Sequence, residues 1–170
     1  MSETKLKIRV WPDSLLRKKC KIVDVIDDDT RALLEQMRVL MRAQNGIGLA
    51  ANQAGLDASM IVCEHKNRCL KLINPKIVKA QGMQCFKEGC LSFPGIEIDV
   101  RRFEKIWVKA QDENGNLVNI EADNILAVVL QHEIDHINGI PFIFRVPFWK
   151  RFKLAGKLAA IKNKEVKSGK

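Results

Sequence analysis

Six residues constrain this chain more than any others: Gln131-His-Glu-Ile-Asp-His136. Histidines four apart share one face of an α-helix, one turn apart, where both imidazoles can grip a single cation. Glu133, beside the first of them, can stand next to a water on that cation and act as general base. Ile125 and Val129 fall on the same helical face, so the pair projects inward among apolar side chains. Buried imidazoles on consecutive turns need partners, and a metal ion supplies one. The alternative is a pair of core histidines satisfied by protein groups. Either way this helix, expected from Asn124 to Ile137, belongs at the centre of the fold. Asp123 is its expected N-cap, with Asn138-Gly139 at its end and Pro141 just beyond.

A hydrolytic site of this kind takes three protein ligands and keeps one position open. No histidine follows His136, and the only later acid is Glu165 in a basic tail, so the third ligand is expected upstream. Segment 88–92 reads Glu-Gly-Cys-Leu-Ser, followed by Phe-Pro-Gly at a turn. Gly89 permits close backbone approach, and the Cys90 thiolate is a strong ligand. Alone, Cys90 reads as a small core residue. The helix's need for a third ligand reverses that. The other four cysteines, Cys20, Cys63, Cys69 and Cys85, read as buried hydrophobes. Their odd total with Cys90, irregular spacing and lack of a C-x-x-C pair argue against a disulfide framework and for the cytoplasm.

Gly46-Ile-Gly-Leu-Ala-Ala-Asn-Gln53 matches the dinucleotide-binding pattern G-x-G-x-x-A, which requires a strand before its glycines. A helix precedes them here, so that reading fails. A glycine-rich loop with exposed amides and the Gln53 side chain suits holding a peptide or polarising a carbonyl.

The remaining pattern places these segments. Asp27–Asn45 carries Leu33, Leu34, Met37, Leu40 and Met41 on one helical stripe behind Asp-Asp-Asp-Thr caps. Strand-like runs are Leu6–Trp11, Ser59–Cys63, Leu70–Ile73, Lys76–Val78, Ile96–Val100, Lys105–Ala110 and, across the Asn114-Gly115 turn, Leu117–Ile120. A third helix is expected over Lys150–Lys164, clamped to the body by Phe142, Phe144, Phe148 and Trp149. Strands between flanking helices, without βαβ alternation, predict an α+β fold: mixed or antiparallel sheets around a central metal-binding helix, with an N-terminal and a C-terminal helix. The 170 residues suit a single catalytic domain over 1–149 plus a basic helix and tail over 150–170. No apolar run is long enough for a membrane span, and Met1-Ser-Glu-Thr-Lys5 leaves no room for a signal or transit peptide. Beyond Trp149 eight cations face only Glu165, giving +7 of the net +9. The body is nearly neutral, so the tail is either a solvated helix or a site for a polyanion.

The three segments Gly46–Gln53, Glu88–Ser92 and Gln131–His136, in this order and approximate spacing, resemble the three signature motifs of peptide deformylases. The resemblance implies that Cys90, His132 and His136 bind one metal ion and that Glu133 moves the proton as water attacks a formyl carbonyl. It implies an oxyanion met by the Gln53 amide and the Leu91 backbone N–H. The peptide would be bound as an added strand along Ile47, Gly48 and Gly89. Ile125, Val128 and Val129 are the candidates for a formyl-methionine pocket. The implied metal is Fe(II), one per chain, with Zn(II), Ni(II) or Co(II) as substitutes. The implied partners are N-formylmethionyl nascent peptides and, through the basic C-terminal helix, the ribosome, with no role for sequence-specific DNA. Two other readings stand beside this one. One is a metallopeptidase with the same helix motif; the other is a non-catalytic ribosome- or RNA-binding protein with a structural metal. Asp135 and Arg101 or Arg102 are expected to pair and steady the ligand helix.

Overall fold

The computed structural model describes residues 6–66 and 68–168, with side chains as far as Lys164. Residues 1–5, Lys170 and the side chains of Glu165 and Lys167 lie outside the described residues. Asp27 caps the first helix, α1 (Asp28–Ala43), accepting a bond from the Thr30 N–H at 2.8 Å. Leu34, Met37 and Met41 form its buried stripe. Beyond it Asn45 adopts a left-handed backbone (φ 55°) and turns the chain into the glycine segment.

Five strands form one antiparallel sheet, ordered β1 (Gly48–Ala50), β2 (Met60–His65), β3 (Arg68–Gln81), β6 (Lys105–Gln111) and β7 (Leu117–Asp123). Two more, β4 (Gln84–Gly89) and β5 (Glu97–Arg102), pair separately. Helix α2 (Asn124–Ile137) lies against the larger sheet. The apolar run of β2 reflects burial on both faces. Ile61 and Cys63 join Ala127, Leu130, Ile134 and Ile137 of α2 in one core. Met60 and Val62, on the alternate face, join Leu34, Met37 and Met41 of α1 in another. Each fully buried Leu or Ile contributes about 1.5–3 kcal/mol, so the sheet fixes α2 along most of its length. A third core links Phe93, Ile96 and Val100 to Phe142, Ile143, Leu154 and Ile161. No helix among the described residues is long and apolar enough to cross a membrane.

The α+β class, the antiparallel pairing, α1, α2 and the Asn114-Gly115 turn follow the expectation. Several local readings do not. Leu6–Trp11 joins neither sheet: Arg9 N–H bonds Gln53 O and Trp11 N–H bonds Ser92 O, so the arm straddles two elements without forming a ladder. The predicted pair Leu70–Ile73 and Lys76–Val78 is one strand, β3. Pro75 sits at a register shift between Ile73 and Lys76, where a missing N–H is tolerated. Asn74 there takes φ 52° and bonds the Val23 backbone through both side-chain polar atoms. Strands β1 and β4 were not predicted: the first is only three residues with a glycine, the second a largely exposed edge strand.

The single helix expected over Lys150–Lys164 is two, α3 (Phe148–Phe152) and α4 (Ala155–Ser168). The chain bends between them, and Leu154 and Ile161 enter the third core. Of the four predicted aromatics, Phe142 and Phe144 share this core with them, and Phe148 and Trp149 do not. Phe142 is buried and Phe144 partly so, but Phe148 and Trp149 are 69% and 66% exposed.

Candidate active site

Helix α2 carries His132 and His136 inward, their Nε2 atoms 3.2 Å apart. Cys90 follows the last residue of β4, and its Sγ lies 3.2 Å from His136 Nε2. The three ligand atoms all lie within 4.8 Å of one another. Tetrahedral coordination at about 2.0–2.3 Å sets ligand atoms roughly 3.3–3.7 Å apart, so the set fits a transition-metal ion with one position open. Burial opposes a charge on His132, but hydrogen bonds with Cys90 and Glu88 outweigh it and hold the ring well above its ordinary pKa. Burial, then the His132 charge, holds His136 well below. Two facing imidazoles can share only one proton, whereas a cation between them satisfies both.

His132 is oriented from behind. Its Nδ1 meets Glu88 Oε2 at 2.7 Å, which directs Nε2 into the site. Burial alone would raise the Glu88 pKa, but His132 and Arg102 together bring it below the ordinary carboxylate range. Arg102, only 3% exposed, grips both Glu88 oxygens, at 2.6 and 3.0 Å, and reaches Asp135 with its remaining nitrogen. Asp135 in turn holds Arg145, whose Nε is 2.8 Å away. Arg102, not Arg101, is therefore the partner of Asp135. Replacing Arg102 with Met leaves buried Glu88 with His132 alone and buried Asp135 with Arg145 alone, and we expect a loss of about 3–5 kcal/mol in urea unfolding of the metal-free protein. A loss under about 1 kcal/mol would mean that the network does not hold the ligand helix.

Glu133 is buried, and its Oε2 has no protein partner among the described residues. Burial pushes its carboxyl up to about 7. Gly48, the first residue of β1, lets this carboxylate in: a Cβ there would collide with Glu133 Oε1 and lie 2.9 Å from Val129 Cγ1. Gly48→Ala should therefore displace Glu133 and lower turnover about tenfold or more while sparing bound metal. Unchanged turnover would remove Gly48 from the site. Gln53 stands in a 3-10 turn, Ala51–Ala54, that follows β1. Its Oε1 accepts from the Ala50 N–H at 2.9 Å, which leaves Nε2 facing Cys90 Sγ at 3.3 Å and Ser92 Oγ at 3.2 Å.

These groups open onto a cleft of about 780 Å³. Ile47, Gly48, Gln53, Gly89, Cys90 and Leu91 line one part of it, and Ile125, Val128, Val129, His132 and Glu133 another. His136 lies behind them, fully buried. Every predicted site residue thus comes to one place. Ile125 is 41% exposed at the rim, while Val128 and Val129 are buried.

Residues 5–152 match the family model described as polypeptide deformylase. The chain belongs to the polypeptide deformylase family. It is 40% identical to a peptide deformylase of Aquifex aeolicus, over 85% of this chain and 89% of that one. It is 39% identical to one of Helicobacter pylori, over 96% and 97%. Among solved structures, a Legionella pneumophila peptide deformylase superposes with a TM-score of 0.88 at 38% identity, covering 95% of this chain and 97% of that one. One from Synechococcus elongatus, solved with actinonin, gives 0.83 at 38%, covering 96% and 87%.

In this deformylase-family chain the sequence reading missed three supporting groups. Glu88 had a signal: on a strand it falls two residues before Cys90, on the same side. Ser92, which orients Gln53, lay within the quoted motif but had no assigned role. Arg145 had no signal, because its contact with Asp135 depends on the turn after α2.

Proposed function

We propose that this protein removes the formyl group from N-formylmethionyl peptides as they are synthesised. The observation that carries this is the Cys90–His132–His136 set beside Glu133, a buried carboxylate with one oxygen unpartnered, in a cleft that is apolar on one side. Cys90, His132 and His136 would hold a divalent cation, which when bound would supply Lewis acidity toward a water and the formyl carbonyl. Glu133 takes the proton of the water as its oxygen attacks the formyl carbon. The developing oxyanion faces the Gln53 NH₂ group and the Leu91 N–H. Glu133 then passes the proton to the departing nitrogen, the C–N bond breaks, and formate and a free N-terminal amine leave. Ile125, Val128 and Val129 receive the methionine side chain. The peptide extends as an added strand between the free edges of β1 and β4, meeting the backbone at Ile47, Gly48 and Gly89.

Fe(II) is the ion we assign, with Zn(II), Ni(II) or Co(II) able to occupy the same thiolate and imidazoles. The five cysteines are all unpaired, which supports a reducing compartment such as the cytoplasm. The cations of α3 and α4 support contact with a polyanion, the ribosome where nascent chains emerge. The test is a trio of peptides, formyl-, acetyl- and free-amine Met-Ala-Ser, offered to metal-loaded protein. Formate from the first, with both others left intact, is the expected result. Peptide-bond cleavage of the free-amine peptide would make the chain a metallopeptidase.

A further inference from the structure

Helix α4 carries a lysine where its own pattern calls for an apolar residue. Leu154, Leu158 and Ile161 form the stripe that packs on Phe93 and Ile96, and Lys157 falls on the same stripe by helical spacing. Leu154 and Ile161 are buried, yet Lys157 is exposed. The reason is what lies beneath it. Phe93 and Ile96 share the third core with α4 and also line the active-site cleft, and Lys157 lines that cleft with them.

The charges around this mouth do not cancel. Lys87 and Glu97, a cross-sheet pair on β4 and β5, meet at 2.7 Å and neutralise each other. Glu97 is held below its ordinary range by the Lys87 hydrogen bond first and the Lys87 charge next, with Lys157 adding a further pull, so Lys157 stands within Coulomb reach of that pair. Among the described residues no ion pair involves Lys157. The remaining cleft carboxylates, Glu88 and Glu133, are buried, the first locked to Arg102. Asp99, opposite Lys87 in the β4–β5 register, is a second acid acting on Lys87, and Lys157 is left as the cleft-lining cation without an ion pair among the described residues.

We infer that Lys157 makes this enzyme favour substrates with an acidic side chain a few residues after the formyl-methionine. The inference rests on the deformylase reading and on a peptide leaving the site along β4 toward Lys87 and Glu97. Lys157 lies on α4, beyond residues 5–152, the stretch that the family model matches. It touches neither the metal ligands nor Glu133, and it acts on kcat/KM through peptide binding at the cleft mouth.

The test compares formyl-Met peptides bearing Glu or Lys at the second, third or fourth position, with formate release followed at low and raised salt. Within each protein the Glu-to-Lys ratio of kcat/KM cancels any general change in activity. For the wild type we expect a ratio of about three to ten at one position, the size of one exposed ion pair plus one repulsion. Raised salt should bring it toward one. Lys157→Met should remove the preference and Lys157→Glu should invert it. Equal ratios in wild type and Lys157→Glu would overturn the inference while leaving the deformylase reading intact. No formate from any peptide would overturn both.

Discussion

Glu133→Gln should yield a folded, metal-loaded protein that releases formate about a hundredfold to ten-thousandfold more slowly than the wild type. The side chain keeps its volume, so the close approach of Gly48 and the packing on Val129 remain. The loss is chemical: an amide cannot accept the proton of the attacking water or return it to the departing amine. Metal content decides the interpretation. His132 and His136 flank Glu133 but reach the site through their own Nε2 atoms, and the support of His132 runs through Glu88 and Arg102. Metal per chain should therefore match the wild type. Turnover within about threefold of the wild type would remove Glu133 as the proton carrier and would suit a structural metal site instead.

The second large effect is expected at Cys90. Cys90→Ala removes the only thiolate of the set and the only ligand that does not come from α2. Metal affinity should fall by more than about a hundredfold, since even groups behind the ligands are worth tenfold to a hundredfold. Formate release should fall with it. The fold should survive, because Cys90 is only partly buried and packs at the margin of the third core. Dialysis against a weak chelator followed by metal analysis separates the outcomes. Retention of one tightly bound ion by Cys90→Ala would assign the third ligand elsewhere. Cys63 and Cys20 are poor substitutes, because burial pushes their thiols up to about 12 and about 11; Cys69 and Cys85, expected to be buried, are exposed.

The helix motif was readable because one local rule, two histidines a turn apart, determines both the element and the direction of its side chains. Cys90 was readable only by combination, through the count of ligands a metal requires. The sheet was readable where burial alternates or runs continuously, as in β2 and β6. It was not readable in β4, whose place comes from pairing with β5 rather than from its own composition. The arm Leu6–Trp11 misled for the converse reason: strand-like residues took backbone partners on two separate elements. The aromatic run misled because exposure depends on where α3 points, which no local pattern encodes. The chain Arg145–Asp135–Arg102–Glu88–His132 joins α2, β4, β5 and the turn after α2, and only its Asp135–Arg102 link was anticipated. Groups that steady a site from behind answer to tertiary packing, while groups that hold the metal carry chemistry legible in residue type.

The measurement that bears most directly on the central claim is anaerobic turnover of formyl-Met-Ala-Ser by wild-type protein loaded with Fe(II), with metal per chain determined on the same sample. We predict one ion per chain and catalytic release of formate. Folded, fully loaded protein that releases none would contradict the account.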